Sequence, residues 1–170
     1  NMESEIHFAF QPHEKLTLVY SRDGFAANPG GSVVQNRDAY GMFTGLPWDA
    51  YLRAGRFRNP FGLRMDDHTV ATRNSYLDFS TQQTFLPYDP RNPDMGIEYG
   101  LTRGALFGRL ALTNGDGNVF AGDFAETKSV KLGYNLPFYQ GGVSFYDSYR
   151  KTPFPLDPSR KRATRWGYYG

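Results

Sequence analysis

The chain has 170 residues, the size of one ordinary domain, and it contains no cysteine, which excludes disulfides, thiolate metal sites and cysteine nucleophiles. Its 19 basic and 17 acidic residues give a formal charge of +2, too small an excess to favour a nucleic-acid-binding protein. The mean hydropathy of −0.58, and the lack of any apolar run near the roughly 18 residues of a membrane helix, exclude a helical membrane protein.

Alternation of apolar and polar residues with a period of two runs through the chain and predicts an all-β protein. Turn-like or polar breaks divide the alternating runs into about nine strands, and no segment has a convincing helical pattern. In chain order the predicted strands are 5–10, 15–21, 38–44, 50–55, 95–101, 106–112, 129–134, 143–148 and a partial strand at 165–170.

The predicted connections alternate between short and long. The long ones cover about 22–37, about 58–93, about ten residues from 114, and about 150–163, and each is separated from the next by a short turn. Outer-membrane barrels have this arrangement, with short turns at one rim and long loops at the other. The sequence therefore predicts an antiparallel transmembrane β-barrel, whose strands close on themselves because hydrocarbon cannot satisfy an open sheet edge.

The two predicted strand faces differ in polarity. Arg53, Glu98, Arg109 and Lys131 lie mid-strand on one face, which we expect to line a wet lumen. The opposite face is expected to contact lipid through Ile97, Leu106, Leu110, Leu112, Leu132 and Phe145. Aromatic residues near strand ends are candidates for the girdles at the membrane interfaces: Tyr20, Tyr51, Phe57, Tyr99, Tyr134 and Trp166.

The strand count is odd, whereas bacterial single-chain barrels have an even number. Both ends of the sequence also read as abrupt, because a polar start leads directly into a strand and residues 165–170 read as the opening of another. We therefore expect residues 1–170 to be part of a single outer-membrane barrel domain, truncated at both ends and about half of a barrel of some 14–18 strands.

The longest predicted loop, 58–93, invites a function in selectivity. It could fold into the lumen, where Arg64, Asp66 and Asp67 would join the strand charges in setting ion preference; alternatively it caps the barrel outside, with its charges solvated. The balance of lumen charges favours a mildly anion-preferring or zwitterionic pore. Other charged or titratable residues of this loop are Arg58, His68 and Arg73.

No motif in the sequence indicates catalysis, a metal site or a cofactor. The serines lack a nucleophile-elbow pattern such as Gly-x-Ser-x-Gly. Asp66, Asp67 and His68 are adjacent in sequence, so they could not all reach one ion without a special turn. We expect no enzyme activity, no bound metal and no cofactor.

Three segments resemble proteobacterial porin-like outer-membrane proteins. Residues 50–64 contain the corner pattern GRF-x-x-PFG-x-R, followed by an acidic pair and a threonine at Asp66, Asp67 and Thr69. Residues 94–100 match D-x-G-[IV]-E-x-G, and residues 111–117 match the strand exit A-x-x-NG-x-G. The resemblance implies a barrel in a Gram-negative outer membrane. Some similar proteins are the barrel partners of multihaem cytochromes in electron conduits.

The leading interpretation is a porin-like channel for passive passage of small hydrophilic solutes or ions. One alternative is a barrel scaffold that sheathes a multihaem cytochrome, and another is a soluble β-sandwich binding module. The expected partners are outer-membrane lipid and lipopolysaccharide, with a second copy of the chain or a multihaem cytochrome as candidate protein partners.

Overall fold

The computed structural model describes residues 5–23, 36–62, 77–78, 83–84, 94–114, 125–151 and 160–170. Eleven strands and one short 3-10 helix, Pro47–Asp49, form within these ranges. The described part of the chain contains no helix that is long and apolar enough to cross a membrane. The strands are β1 (Glu5–His13), β2 (Leu16–Asp23), β3 (Asn36–Leu46), β4 (Ala50–Phe57), β5 (Leu77–Asp78), β6 (Gln83–Thr84), β7 (Asp94–Arg103), β8 (Leu106–Thr113), β9 (Thr127–Leu136), β10 (Tyr139–Lys151) and β11 (Arg160–Tyr169).

Nine of the strands form one antiparallel sheet in the order β1-β2-β3-β4-β7-β8-β9-β10-β11. Each strand of this sheet pairs with the next one along the chain, except that β4 pairs with β7. The intervening strands β5 and β6 form a separate two-stranded pair. Within the described ranges β1 and β11 are the two edges of the sheet, and they are not paired with each other. The sheet is therefore an open meander.

The predicted all-β class, the nine main strands and the alternation of connections are confirmed. Short turns at 14–15, 47–49, 104–105 and 137–138 alternate with long connections at 24–35, 58–93, 114–126 and 152–159. The predicted boundaries were wrong around the last hairpin, where β10 and β11 begin earlier than expected. Their ladder continues through polar pairs such as Arg150 with Lys161, because backbone hydrogen bonds do not need apolar side chains.

The two faces of the large sheet have opposite character. We call the face that carries Ile97, Leu110 and Leu132 the apolar face, and the face that carries Glu98, Arg109 and Lys131 the polar face. In β3, Phe43 lies on the apolar face because it pairs with Leu16 and Leu52.

Exposure to solvent is the reverse of what a soluble protein shows. The large apolar side chains of the apolar face are exposed, with Phe8 at 62% and Leu132 at 53%. Small and polar side chains of the polar face are buried instead, against the usual preference of such residues for water. Among the described residues this buried set includes Ser21, Asp94, Glu98, Thr113, Thr127, Ser129, Lys131, Ser144 and Ser148.

The sheet curls towards its polar face. Cross-strand partners, followed from one strand to the next over five strands, form one row: Tyr51, Gly100, Arg109, Lys131 and Ser144. Phe57 is farther along β4, and a flat sheet would put it about 28 Å from Ser144 at standard strand spacing and rise. Gly62 nevertheless donates its N–H to the Ser144 hydroxyl. Five extended residues and a serine side chain reach only about 23 Å, so a flat sheet is excluded.

Candidate functional site

A cluster of charged and aromatic side chains lies on the polar face where β4, β7, β8 and β9 adjoin. Arg53 of β4 is directly opposite Glu98 of β7, and Arg109 of β8 is directly opposite Lys131 of β9. Three cationic groups therefore accompany one carboxylate at this level of the sheet. We call Tyr51, Arg53, Glu98, Arg109 and Lys131 the charge cluster.

Glu98 is the buried centre of the charge cluster, with no exposed surface. Arg53 donates from Nη2 to Oε2 of Glu98 at 2.7 Å, and the Tyr51 hydroxyl donates to Oε1 at 2.6 Å. Both carboxylate oxygens thus have a partner, which is the condition under which a buried charge is tolerated. The ion pair with Arg53 neutralises the negative charge of Glu98.

Aromatic rings hold the Arg53 guanidinium in place. Its central carbon lies 4.3 Å from the centroid of the Phe57 ring and 4.9 Å from that of Tyr40. Such contacts are favourable for a partly desolvated cation. Phe57 is fully buried in this position. Phe57 and Tyr51 therefore belong to the polar face, and their assignment to an interfacial girdle was wrong.

Gly100 makes room for the Tyr51 ring. Gly100 is the cross-strand partner of Tyr51, and a Cβ added at Gly100 would overlap that ring. Without a side chain at position 100, the ring can lie across β7 and bring its hydroxyl to Glu98. Glycine in a strand interior otherwise weakens the strand, so close approach of the ring explains its presence here.

Lys131 is buried, with 7% of its surface exposed, and its ammonium group contacts backbone and rings. It donates to the carbonyl oxygen of Gly62 at 2.7 Å. The same nitrogen lies 4.7 Å from the centroid of Tyr169 and 5.8 Å from that of Phe107. Like charges directly opposite each other repel. The contacts of the Lys131 ammonium with the Gly62 carbonyl and the two rings offset its repulsion from Arg109.

Arg109 differs from the other members of the charge cluster because it is exposed. It has no hydrogen-bond or ion-pair partner in the described parts of the chain. Both oxygens of the neighbouring carboxylate, Glu98, are already engaged. Arg109 is thus the cationic group of the cluster that is available to a solute on the polar face.

Residues 58–62, which follow β4, cross the polar face from β4 towards β11. We call them the crossing segment. Its Asn59 contacts Thr113 of β8, its Phe61 packs edge-on against Tyr146 of β10, and its Gly62 meets Ser144. Sequence patterns did not identify Thr113 and Ser144 as partners of this segment. Their one signal was their place among the polar residues of alternating strands.

The predicted site residues are only partly brought together. Arg53, Glu98, Arg109 and Lys131 share the polar face, and their function in selectivity stays a prediction. The predicted lipid-contacting residues share the opposite face, and their contact with lipid also stays a prediction: Ile97, Leu106, Leu110, Leu112, Leu132 and Phe145. The remaining candidates lie outside the described residues: Arg64, Asp66, Asp67, His68 and Arg73.

Comparisons of the chain with protein-family models, with curated proteins and with solved structures find no match. Functional inference therefore depends on the geometry of the two faces.

Substituting Gly100 with alanine should destabilise the fold, because the new Cβ displaces the Tyr51 ring and its hydroxyl from Glu98. We expect a cost of about 1–3 kcal/mol in unfolding free energy, typical of overpacking. The matched control is G108A on β8, where the neighbour is the movable tip of Leu132 at 3.2 Å. Urea titration measures the unfolding free energy of both variants; equal costs would refute the role given to Gly100.

Removing the Glu98 carboxylate should be more costly, because it leaves the Arg53 side chain, which is only 12% exposed, without its partner. We expect E98A to lower the unfolding free energy by about 3–5 kcal/mol. E14A, which removes an exposed carboxylate from the β1–β2 turn, is the control and should change little. The double variant R53M/E98A should recover part of the loss. A small effect of E98A alone would contradict the buried pair.

Proposed function

We propose that the sheet is part of a transmembrane β-barrel in a Gram-negative outer membrane and that its polar face lines the lumen of a porin-like channel. The observation that carries this proposal is the reversed exposure of the two faces along the nine-stranded sheet. Fully burying a large apolar side chain is favourable by about 1.5–3 kcal/mol. A face made of such residues is therefore stable against hydrocarbon and costly against water.

The positions of charges support lipid contact by the apolar face. Among the strand residues whose side chains the structure describes, the charged residues of this face lie towards the strand ends, at Arg22, Arg56, Lys128 and Asp147 on the long-connection side and at Arg103 on the short-turn side. Between them lies an apolar belt. The nine strands have 8 to 13 residues, which matches the roughly 9–11 residues that a tilted strand needs to cross a bilayer.

Exposed aromatic side chains add to this support. Tyr20, Tyr99, Tyr134 and Trp166 are exposed on the apolar face. Tyrosine and tryptophan favour the boundary between hydrocarbon and water because one end of each ring is apolar and the other can form hydrogen bonds. Of the six girdle candidates, these four lie on the face that would contact lipid.

The open edges require additional strands in a bilayer. Unpaired backbone groups on β1 and β11 would each cost several kcal/mol in hydrocarbon. Because nine consecutive strands alternate in direction, β1 and β11 run the same way. Antiparallel closure then needs an odd number of further strands between them. We propose that such strands complete the barrel, in agreement with the even strand numbers of bacterial barrels.

The proposed mechanism is passive and involves no covalent step. The crossing segment narrows the lumen on the side of β8 to β11, and Arg109 presents a positive charge to solutes that pass. With the Glu98 charge engaged by Arg53, the local field favours anions. The pore is expected to be mildly anion-preferring.

A sheath for a multihaem cytochrome is the second candidate. The observation that favours it is the burial of the polar side chains of β7 to β10 other than Arg109, because a lumen packed with protein would not conduct solutes. A soluble β-sandwich is less well supported, because its apolar face would pack against a second sheet. In the described ranges, Leu106, Leu110 and Leu132 of the apolar face remain exposed instead.

Membrane assembly should distinguish the two faces of β8. We expect L110R to block insertion into lipid vesicles, because a cation at the midplane of the lipid face costs about 2–4 kcal/mol. R109L, on the other face of the same strand, should still insert. Flotation of vesicles and protection from added protease measure assembly. Similar results for the two variants would contradict the assignment of the faces.

Ion passage should depend on Arg109. Single-channel recordings in planar bilayers should show discrete conductance steps, and a salt gradient should give a reversal potential on the anion-preferring side. R109L should lower the anion-to-cation permeability ratio by roughly twofold or more, since one local charge is lost. K128L, on the apolar face near the strand end, is the control. A silent membrane protein that copurifies with haem would favour the sheath.

A further inference from the structure

The crossing segment is fixed at several points along its length. Asn59 and Thr113 exchange hydrogen bonds: the amide Nδ2 donates to the hydroxyl at 3.2 Å, and the hydroxyl lies 3.4 Å from Oδ1. Thr113 is fully buried beneath this contact. The segment therefore covers β8 at the end of that strand.

The next contact is aromatic. The Phe61 ring packs against Tyr146 with centroids 6.0 Å apart and an interplanar angle of 71°, the edge-on geometry that aromatic pairs favour. Gly167 of β11 leaves space beside both Ser144 and Phe61, since a Cβ there would lie 2.6 Å from the Ser144 hydroxyl oxygen and 3.2 Å from Cζ of Phe61. The ring thus rests over the last strands of the sheet.

Gly62 is held by both of its backbone polar groups. Its N–H donates to the Ser144 hydroxyl at 3.0 Å, and its carbonyl accepts from the Lys131 ammonium at 2.7 Å. Gly62 has a φ of 62°, a conformation that favours glycine. Ser144 in turn donates to the Gly167 carbonyl at 3.3 Å. Two neighbouring strands, β9 and β10, therefore clamp one residue of the segment.

We propose that Lys131 is the positioning residue that holds the crossing segment against the polar face. Its bond to Gly62 is the charge-assisted one among these contacts, and such bonds are about twice as strong as neutral ones. Its burial keeps water from competing for the ammonium group. The charge of Lys131 serves to fix the segment, whereas the charge of Arg109 faces passing solutes.

This assignment differs from the expectation that both cations act in selectivity. It does not require the polar face to line a lumen. Its consequence for solute passage, a stable constriction instead of a moving one, rests on the proposed function. Loss of the Lys131 contact should therefore loosen the segment whether or not the protein conducts ions.

A thiol placed under the segment tests the proposal directly, because the chain contains no cysteine. T113C replaces a buried hydroxyl by a thiol of similar size beneath Asn59. In the full chain, a small methanethiosulfonate reagent should label this thiol slowly, at a rate set by transient opening of the segment. Adding K131M should raise the labelling rate roughly tenfold, as expected when a charge-assisted hydrogen bond is lost.

The matched control is K128M, because Lys128 lies on the same strand but on the apolar face and is exposed. K128M should leave the T113C labelling rate unchanged, and K131R should restore protection. Far-UV circular dichroism checks that each variant is folded. Equal labelling rates with K131M and K128M would overturn the proposal, because both are compared in the same T113C background, where the Asn59–Thr113 contact is lost in each. This result does not depend on whether the protein forms a pore.

Discussion

The structure depends on one constraint: the two faces of a single sheet need different surroundings. The apolar face exposes side chains such as Phe8 and Leu132, while the polar face buries Glu98 and Lys131. In water the opposite arrangement is favoured, with apolar side chains buried and polar ones exposed, because apolar burial is the main favourable term in folding. The observed arrangement suits hydrocarbon against the apolar face and protein or water against the polar face. The proposal of a lipid-facing barrel follows from that requirement and from the need to close the edges of the sheet.

The polar face is organised as a packed layer with few open charges. Glu98 is neutralised by Arg53, aromatic rings flank the guanidinium, and Gly100 gives Tyr51 the space to complete the group. The crossing segment covers the neighbouring strands. Satisfied buried bonds, such as the two that Glu98 accepts, rigidify a structure, although the Arg53 Nε and the Ser129 hydroxyl have no hydrogen-bond partner in the described parts of the chain. The proposed channel is therefore narrow and fixed on this side, with Arg109 as its accessible charge.

Local alternation predicted the faces of the strands well, since a side chain's face depends only on odd or even position along a strand. The prediction that Ile97 and Glu98 lie on opposite faces of the sheet needed no tertiary information. The contact of Lys131 with Gly62 could not be predicted, because the two residues are 69 positions apart and meet only where the sheet curls. The girdle assignment of Phe57 was wrong for a different reason: it relied on position near a strand end, whereas the odd position that Phe57 shares with Arg53 in β4 places it on the polar face.

The most direct test of the account is a spin-label scan along β8, Leu106–Thr113, with single cysteines introduced one at a time into the cysteine-free chain. In lipid vesicles, collision with oxygen reports hydrocarbon, and collision with a soluble nickel chelate reports water. The account predicts oxygen accessibility at positions 106, 110 and 112, and its loss at the intervening odd positions. Nickel accessibility at Leu110 equal to that at Arg109, or burial of both faces in protein, would contradict it.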